Sequence, residues 1–180
     1  MNDKPNGRGE FHYSDGSVLK GDFTDNKCNG RGKETYADGS TFDGEFVSGQ
    51  KRHGEFVWLD GSKYIGGFEN NVMHGQGAYE WPDGRRYEGQ WQNNKMHGEG
   101  KFFFPDGRIY QGQYKNDKKE GKGIYTWPDG RRYEGEFFQG KQHGVGTFVS
   151  KSGDRRVAEF RNGERIRWLD EENSDYEEDE

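Results

Sequence analysis

The segment GAYEWPDGRRYEGQW, residues 77–91, predicts a β-hairpin. On each side of Pro82-Asp83-Gly84, its aromatic residues and glycines are separated by even numbers of positions, which places them on one face of two strands. Pro82 presets the φ angle of a turn and Gly84 supplies a positive φ, and together they favour a tight loop. A three-residue loop of this kind pairs Trp81 with Arg85, Tyr79 with Tyr87, and Gly77 with Gly89.

The same hairpin recurs along the chain. The turn position is occupied by Asp15, Asp38, Asp60, Asp83, Asp106, Asp129 and Ser152, at intervals of 23, 22, 23, 23, 23 and 23 residues. One residue is missing near Arg52-His53-Gly54, which accounts for the single short interval. We therefore predict an all-β fold, a single elongated twisted antiparallel sheet in which seven repeats of about 23 residues form a β-solenoid of tandem hairpins. The seventh repeat is degenerate, because Arg156 and Ala158 replace an aromatic residue and a glycine.

The recurring glycines have two explanations. Within the strands they stand beside aromatic rows, so a ring from a neighbouring strand is expected to lie over the bare backbone. Between the repeats, a residue that tolerates the left-handed conformation follows three positions after the last aromatic residue. This loop position is occupied by Asn26, Gly49, Asn71, Asn94, Asp117, Gly140 and Gly163.

Composition limits the fold and the partners. Only 27% of the 180 residues are apolar and 16% are aromatic, which favours a thin aromatic core over a thick two-layer one. Residues 170–180 carry eight acidic groups, and the remaining chain has 27 basic and 25 acidic residues, so the basic stripe of a nucleic-acid-binding protein is absent.

The same composition indicates a cytoplasmic protein. Cys28 is the only cysteine, which excludes a disulfide framework and fits a reducing compartment. The sequence has no apolar run long enough to span a bilayer and a polar N-terminus unlike a signal peptide.

Three regions are predicted along the chain. Residues 1–6 form an N-terminal extension, residues 7–169 form the repeat array, and residues 170–180 form a disordered acidic tail. Ile166 and Trp168, which follow the degenerate repeat, are interpreted as a C-terminal cap over the last aromatic layer.

No motif predicts catalysis, a cofactor or a small-molecule substrate. Phosphate-binding loops, nucleophile elbows and zinc-protease motifs are absent, and Gly-x-Gly opens a strand here instead of a helix. His74, His97 and His143 share one repeat position, but they are two strands apart, so we interpret them as loop residues and predict no metal site.

The repeat resembles the MORN repeat (membrane occupation and recognition nexus). The resemblance rests on a pattern of Tyr-x-Gly-x-(Trp/Phe), followed by Asn or Gly and then by His-Gly-x-Gly. The full pattern occurs at Tyr87–Gly100 and Tyr133–Gly146, and variants of it cover residues 7–163. Glu34 departs from it in an aromatic row, and Asn29 and Glu120 replace the histidine. The resemblance implies a sheet with an aromatic groove and a role in scaffolding, cytoskeletal attachment or organelle organisation. Membrane or phosphoinositide binding has also been proposed for this family.

The aromatic rows supply the main candidate site. A single sheet has no second layer to cover them, so part of their surface is expected to stay accessible in a groove that binds a partner protein. The predicted groove residues are Trp58, Tyr64, Trp81, Tyr87, Tyr110, Trp127 and Tyr133.

Two further surfaces are candidates. Arginines follow three successive turns, where they either form an edge for anionic lipid or acidic peptide, or pair with neighbouring carboxylates such as Glu88 and Glu134. These are Arg85, Arg86, Arg108, Arg131 and Arg132. Phe103 and Ile109 break the polar face and should lie opposite each other, either as a local hydrophobic pair or as a second contact point.

The predicted function is a non-enzymatic scaffold or adaptor that binds a protein segment along the aromatic groove, in a larger cytoskeletal or ciliary assembly. One alternative is a peripheral membrane or phosphoinositide-binding module. The other is a regulatory repeat segment of a multi-component enzyme.

Overall fold

The computed structural model describes residues 6–170, which contain fifteen β-strands and no helix. The strands are β1 Gly7–His12, β2 Val18–Thr24, β3 Lys27–Thr35, β4 Thr41–Val47, β5 Gln50–Val57, β6 Lys63–Glu69, β7 Val72–Glu80, β8 Arg86–Gln92, β9 Lys95–Phe103, β10 Ile109–Lys115, β11 Lys118–Thr126, β12 Arg132–Phe138, β13 Lys141–Val149, β14 Arg155–Arg161 and β15 Glu164–Trp168. The predicted disordered tail lies outside the described residues, except for Asp170.

The chain divides into two compact units, Met1–Lys95 and Met96–Glu180. In the first, β1 to β8 pair in chain order, each antiparallel to the next. In the second, β9 to β15 do the same. The predicted fold class, an all-β antiparallel sheet of tandem hairpins, is confirmed.

The hairpin at residues 77–91 has the predicted register. Gly77 pairs with Gly89 and Tyr79 pairs with Tyr87. The Trp81 N–H donates to the Arg85 carbonyl at 2.9 Å, and Gly84, at φ 86°, donates its N–H to the Trp81 carbonyl at 3.0 Å. The local turn chemistry of Pro82-Asp83-Gly84 therefore sets this register.

The loops between repeats are left-handed at two residues, not one. Asn94 has the predicted positive φ of 65°, but Asn93 before it is also at 50°. Two successive positive φ angles define a type I′ turn, whose twist matches that of antiparallel strands. The same pair of positive angles occurs at each inter-repeat loop, even where the first residue is Ser48 or Gln139.

These loop residues also form hydrogen bonds with the preceding repeat. Asn94 donates its backbone N–H to the Met73 carbonyl at 3.1 Å, and its Oδ1 accepts the Met73 N–H at 2.8 Å. Asp117 makes the same two bonds with Met96, at 3.0 and 2.8 Å. Glycine at this position keeps only the backbone bond, as between Gly49 and Cys28 at 2.8 Å. Asn and Asp thus combine the turn conformation with a second hydrogen bond.

A bulge beside the inter-repeat loop accommodates the difference in repeat length. Gly66 pairs with Gly77 but Phe68 pairs with Met73, so β7 contains extra residues, including Gly75 at φ 74°. In β5, Gly44 pairs with Gly54 and Phe46 with Lys51, which leaves one residue fewer in the bulge. The missing residue near Arg52-His53-Gly54 therefore shortens a bulge and leaves the register of the flanking strands unchanged.

The core is a layer of rings packed directly on glycine. In the first unit, a Cβ added to Gly66 would lie 2.5 Å from the Tyr64 hydroxyl, and one added to Gly77 would lie 2.5 Å from Tyr64 Cζ. The Tyr64 ring therefore covers Gly77 of the neighbouring strand, as the glycine rows predicted, and also Gly66 of its own strand. Tyr110 covers Gly112 and Gly123 in the same way in the second unit.

Candidate partner-binding surface

Four residues of the predicted groove are core residues instead. Tyr64, Tyr87, Tyr110 and Tyr133 are each 0% exposed. Their hydroxyls donate to the backbone carbonyl three residues later, at 2.9, 2.9, 3.1 and 3.3 Å. The expectation that these rings stay accessible in a groove is wrong, because the glycine rows give each ring enough room to lie flat against its own sheet. These four tyrosines belong to the core.

The accessible rings form a separate row in each unit. In the first unit the row is Tyr36, Phe56, Trp58, Tyr79 and Trp81, which we call the first ridge. Its members are all half-buried, and successive ring centroids lie 4.5 to 5.4 Å apart. These are favourable distances for aromatic pairs, so the row is a continuous and well-packed apolar surface.

The second unit has a similar row, the second ridge, formed by Phe104, Tyr125, Trp127, Phe148 and Trp168. These rings are also half-buried, with successive centroids 4.9 to 6.4 Å apart. At one end, Trp127, Phe148 and Trp168 line a cavity of about 250 Å³. The predicted groove residues Trp58, Trp81 and Trp127 therefore lie on accessible ridges, and their contact with a partner stays a prediction.

Of the two residues predicted to form a C-terminal cap, only Trp168 packs against other side chains of the ridge. Trp168 lies between the guanidinium groups of Arg156 and Arg165, at 3.8 and 4.2 Å from the ring centroid, and beside Phe148. Ile166 is 49% exposed and does not cover the aromatic layer. Arg156, which breaks the aromatic row in the sequence, thus contacts the tryptophan that ends the second ridge.

The predicted arginine edge is largely neutralised. Each turn arginine bonds the aspartate two residues earlier at 2.7 Å, in the pairs Arg85–Asp83, Arg108–Asp106 and Arg131–Asp129. Their guanidinium groups also lie over ridge rings, at 5.2 Å from Trp81, 5.0 Å from Phe104 and 5.9 Å from Trp127. A hydrogen bond from Arg108 holds the pKa of Asp106 below its usual value. These arginines therefore extend the ridges as stacked, charge-compensated groups.

The other two arginines have carboxylate partners, as the alternative interpretation proposed. Arg86 bonds Glu80 at 3.2 Å and also contacts Glu88. Arg132 bonds Glu134 at 2.5 Å, and Arg155 bonds the second oxygen of Glu134 at 2.8 Å. Binding of anionic lipid by this edge stays a prediction, but it would compete with ion pairs that already exist.

Phe103 and Ile109 lie opposite each other in the β9–β10 pair, as predicted. Both are half-buried, and the Lys101 ammonium lies 5.1 Å from the Phe103 ring centroid. This arrangement agrees with a local hydrophobic pair, and a role as a second contact point stays a prediction.

Two lysines within the aromatic layer were not among the predicted site residues. Lys51 and Lys119 occupy the repeat position that holds Met73 and Met96 elsewhere. Lys51 is only 8% exposed and is paired with Glu34 at 2.7 Å. A comparison of repeat positions could have found them, because a charged residue at a methionine position is unusual for a core.

Lys119 is surrounded by rings of the second unit. Its Nζ lies 4.8 Å from the centroid of Tyr110, 4.9 Å from Tyr125, 5.4 Å from Phe104 and 5.9 Å from Phe137. Burial, and then the charge of Arg108, lowers the pKa of this ammonium to about 8. The rings partly compensate the charge through cation–π attraction, but not enough to offset its loss of water.

The lowered pKa of Lys119 predicts that the free energy of unfolding increases with pH. The unfolded chain keeps the Lys119 proton up to about pH 10.4, whereas the folded chain releases it above about pH 8. The free energy of unfolding should therefore rise between pH 8 and pH 10, on the order of 1 kcal/mol. Above pH 10 it should fall, since burial raises the pKa of Tyr133 to about 12. Urea midpoints measured from pH 7 to 10 test this, and Lys119→Met should abolish the rise.

The exposed Lys122 on the same strand provides the control for that measurement. Lys122→Met should keep the increase in stability between pH 8 and pH 10. An increase that survives in Lys119→Met, or disappears in Lys122→Met, would contradict the assignment to Lys119.

The described part of the chain holds no cluster of three or more metal-ligating residues. Residues 6–170 also contain no helix with the length and hydropathy of a membrane span.

Tandem hairpins with a glycine-packed tyrosine core and accessible aromatic ridges define an all-β repeat protein. The MORN repeat family model matches residues 1–18, 20–41, 42–63, 64–85, 87–107, 110–131 and 133–155. The chain therefore belongs to the MORN-repeat family, and the predicted family is confirmed. The comparison with curated protein sequences found no match.

The comparison with solved structures found matches that are distant in sequence. The TCP domain of Drosophila melanogaster SAS-4 (dCPAP) is 10% identical over 87% of this chain and 95% of that chain, with a TM-score of 0.50. The G-box domain of the microcephaly protein CPAP is 18% identical over 86% of this chain and 100% of that chain, with a TM-score of 0.44. The TCP10 domain of Danio rerio CPAP is 15% identical, covers 90% of this chain and 88% of that chain, and has a TM-score of 0.30.

Proposed function

We propose that the chain is a non-enzymatic scaffold or adaptor whose aromatic ridges bind an extended segment of a protein partner. The observation that carries this proposal is the continuity of the half-buried rings in each unit, at centroid spacings of 4.5 to 6.4 Å. Rigid Trp and Tyr side chains supply contact area at a low cost in conformational entropy, which is why interfaces are rich in them.

One distant structural neighbour is compatible with such a ligand. The SAS-4 TCP domain was solved in complex with a proline-rich motif of Ana2. An extended, proline-rich segment loses little entropy on binding and packs its rings on aromatic side chains. A segment of this kind would suit ridges of stacked Trp, Tyr and Phe. The proposed setting is a cytoskeletal or ciliary assembly in the cytoplasm.

The test is a selection of phage-displayed random 12-residue peptides on the full chain. Peptides that bind are then measured by calorimetry against Trp127→Ala and, as a matched control, Ile124→Ala. Trp127 is a second-ridge residue, whereas Ile124 is a 42% exposed apolar residue of neighbouring strand β11 that lines a different surface. We expect at least tenfold weaker binding for Trp127→Ala, about 1.4 kcal/mol, and unchanged binding for Ile124→Ala.

Two results would refute the proposed function. One is a selection that yields no binding peptide. The other is a set of selected peptides whose affinity is lowered neither by Trp127→Ala nor by Trp81→Ala, which removes a ring of the first ridge. Circular dichroism of each variant confirms that the fold is retained, so a loss of binding can be assigned to the ridge.

A further inference from the structure

The two lysines in the aromatic layer differ in their carboxylate partner. Lys51 lies 5.3 Å from the ring centroids of Tyr36 and Phe42, and its Nζ bonds Glu34 at 2.7 Å. Glu34 stands in a row that is otherwise aromatic, and it also accepts a hydrogen bond from the Tyr36 hydroxyl at 2.6 Å. The departure of Glu34 from the family pattern is thus explained by Lys51, whose charge it neutralises.

At Lys119 the corresponding carboxylate is missing. The residue at the repeat position of Glu34 is Phe102, which is buried. Among residues 6–170, Lys119 has contacts with rings but no ion pair, and the nearby charge of Arg108 is unfavourable to it. Asp106 forms its ion pair with Arg108, at 2.7 Å, and not with Lys119. A half-buried ammonium without a carboxylate is costly, so a partner that supplies one gains binding energy.

The position of Lys119 links it to the second ridge. Phe104 and Tyr125, two of the rings around its Nζ at 5.4 and 4.9 Å, are consecutive members of that ridge. A segment lying along the ridge therefore passes next to the ammonium. The Glu34–Lys51 pair in the first unit shows that a carboxylate fits beside a lysine in this ring environment.

We propose that the partner supplies the missing carboxylate, so that an Asp or Glu of the extended segment on the second ridge pairs with Lys119. This inference rests on the proposed function and specifies the chemistry of the ligand, an acidic residue flanked by apolar or proline residues. Glu34 is the intramolecular model of that contact. Pairing favours the charged ammonium, so binding at pH 8 should take up a proton.

The phage-displayed 12-residue library, selected separately on the full chain and on Lys119→Met, tests the inference. The full chain should select peptides with an acidic residue at a constant distance from their aromatic or proline residues. Lys119→Met should select peptides with the same apolar residues but without the acidic preference. Lys122→Met, which removes an exposed lysine of the same strand, should select the acidic peptides as the full chain does.

A matched pair of peptides measures how much the acidic residue contributes to the affinity. One peptide from the selection is synthesised with its Glu and with Gln in that place. On the full chain the Gln form should bind about tenfold more weakly, and on Lys119→Met the two forms should bind equally. Calorimetry in two buffers of different ionisation enthalpy at pH 8 should show proton uptake with the Glu form and the full chain only.

The outcomes separate this inference from the proposed function. If no peptide is selected, the proposed function fails and the inference fails with it. If peptides bind the second ridge without an acidic preference, or keep that preference on Lys119→Met, the ridge function stands and the inference is overturned. It is also overturned if acidic peptides are selected only after the acidic residues of 171–180 are changed to amides, since the chain's own acidic segment would then hold Lys119.

Discussion

Gly77→Ala is expected to lower the free energy of unfolding by about 3 kcal/mol, through overpacking of the aromatic layer. A Cβ at this position would lie 2.5 Å from Tyr64 Cζ. The Tyr64 ring cannot move aside easily, because it is 0% exposed and its hydroxyl donates to the Gly67 carbonyl at 2.9 Å. The urea midpoint, followed by tryptophan fluorescence, measures the effect.

Gly9→Ala is the matched control for this substitution. Gly9 occupies the same repeat position in β1, but a Cβ there would meet only the Phe23 ring, at an ordinary contact distance of 3.7 Å. Neither glycine has a positive φ, so backbone strain does not contribute at either position. We expect Gly9→Ala to change the stability by less than about 1 kcal/mol. Equal midpoints for the two variants would show that ring packing is not the reason for the glycine row.

Tyr87→Ala is expected to destabilise the chain by about 3 to 5 kcal/mol, the usual cost of removing a large buried aromatic side chain. The ring is 0% exposed and packs edge-on against Trp91 at a centroid distance of 5.2 Å. Its hydroxyl also donates to the Gln90 carbonyl at 2.9 Å. Thermal unfolding should show a large decrease in Tm for this variant.

Two companion variants identify the origin of that decrease. Tyr87→Phe removes only the hydroxyl bond and should cost about 1 kcal/mol. Trp81→Ala removes a half-buried ring of the first ridge and should cost clearly less than Tyr87→Ala, even though tryptophan is the larger residue. If Trp81→Ala were the more destabilising of the two, our separation of core and ridge would be wrong.

The division between core and ridge is the point at which sequence reasoning and structure differ most. Tyr87 and Trp81 both belong to aromatic rows with even spacing, and nothing in that spacing distinguishes a covered ring from an accessible one. The difference arises because Tyr87 shares its strand with Gly89, two residues later, as Tyr64 does with Gly66. Trp81 follows the end of β7 and precedes Pro82 at the turn, so no strand glycine lies two residues after it.

For the charged residues too, the sequence shows their positions but not their contacts. The turn arginines were visible in the sequence, but only the structure shows that Arg85 bonds Asp83 and stacks on Trp81. Lys119 was not predicted at all, because its significance depends on Phe102 and Tyr125, which come from other positions of the sheet. A lysine and the carboxylate that would neutralise its charge lie two strands apart, so a pattern of near neighbours in the chain cannot pair them.

Features that depend on near neighbours in the chain could be predicted from the sequence. Seven hairpins, the pairing around Pro82-Asp83-Gly84 and the left-handed residue of each inter-repeat loop follow from turn chemistry and side-chain alternation, which act over a few residues. Which rings are buried, and which charge has no ion pair among residues 6–170, could be seen only in the tertiary structure. Burial and charge compensation depend on side chains that only strand pairing brings together, so they appear once the hairpins are packed against one another.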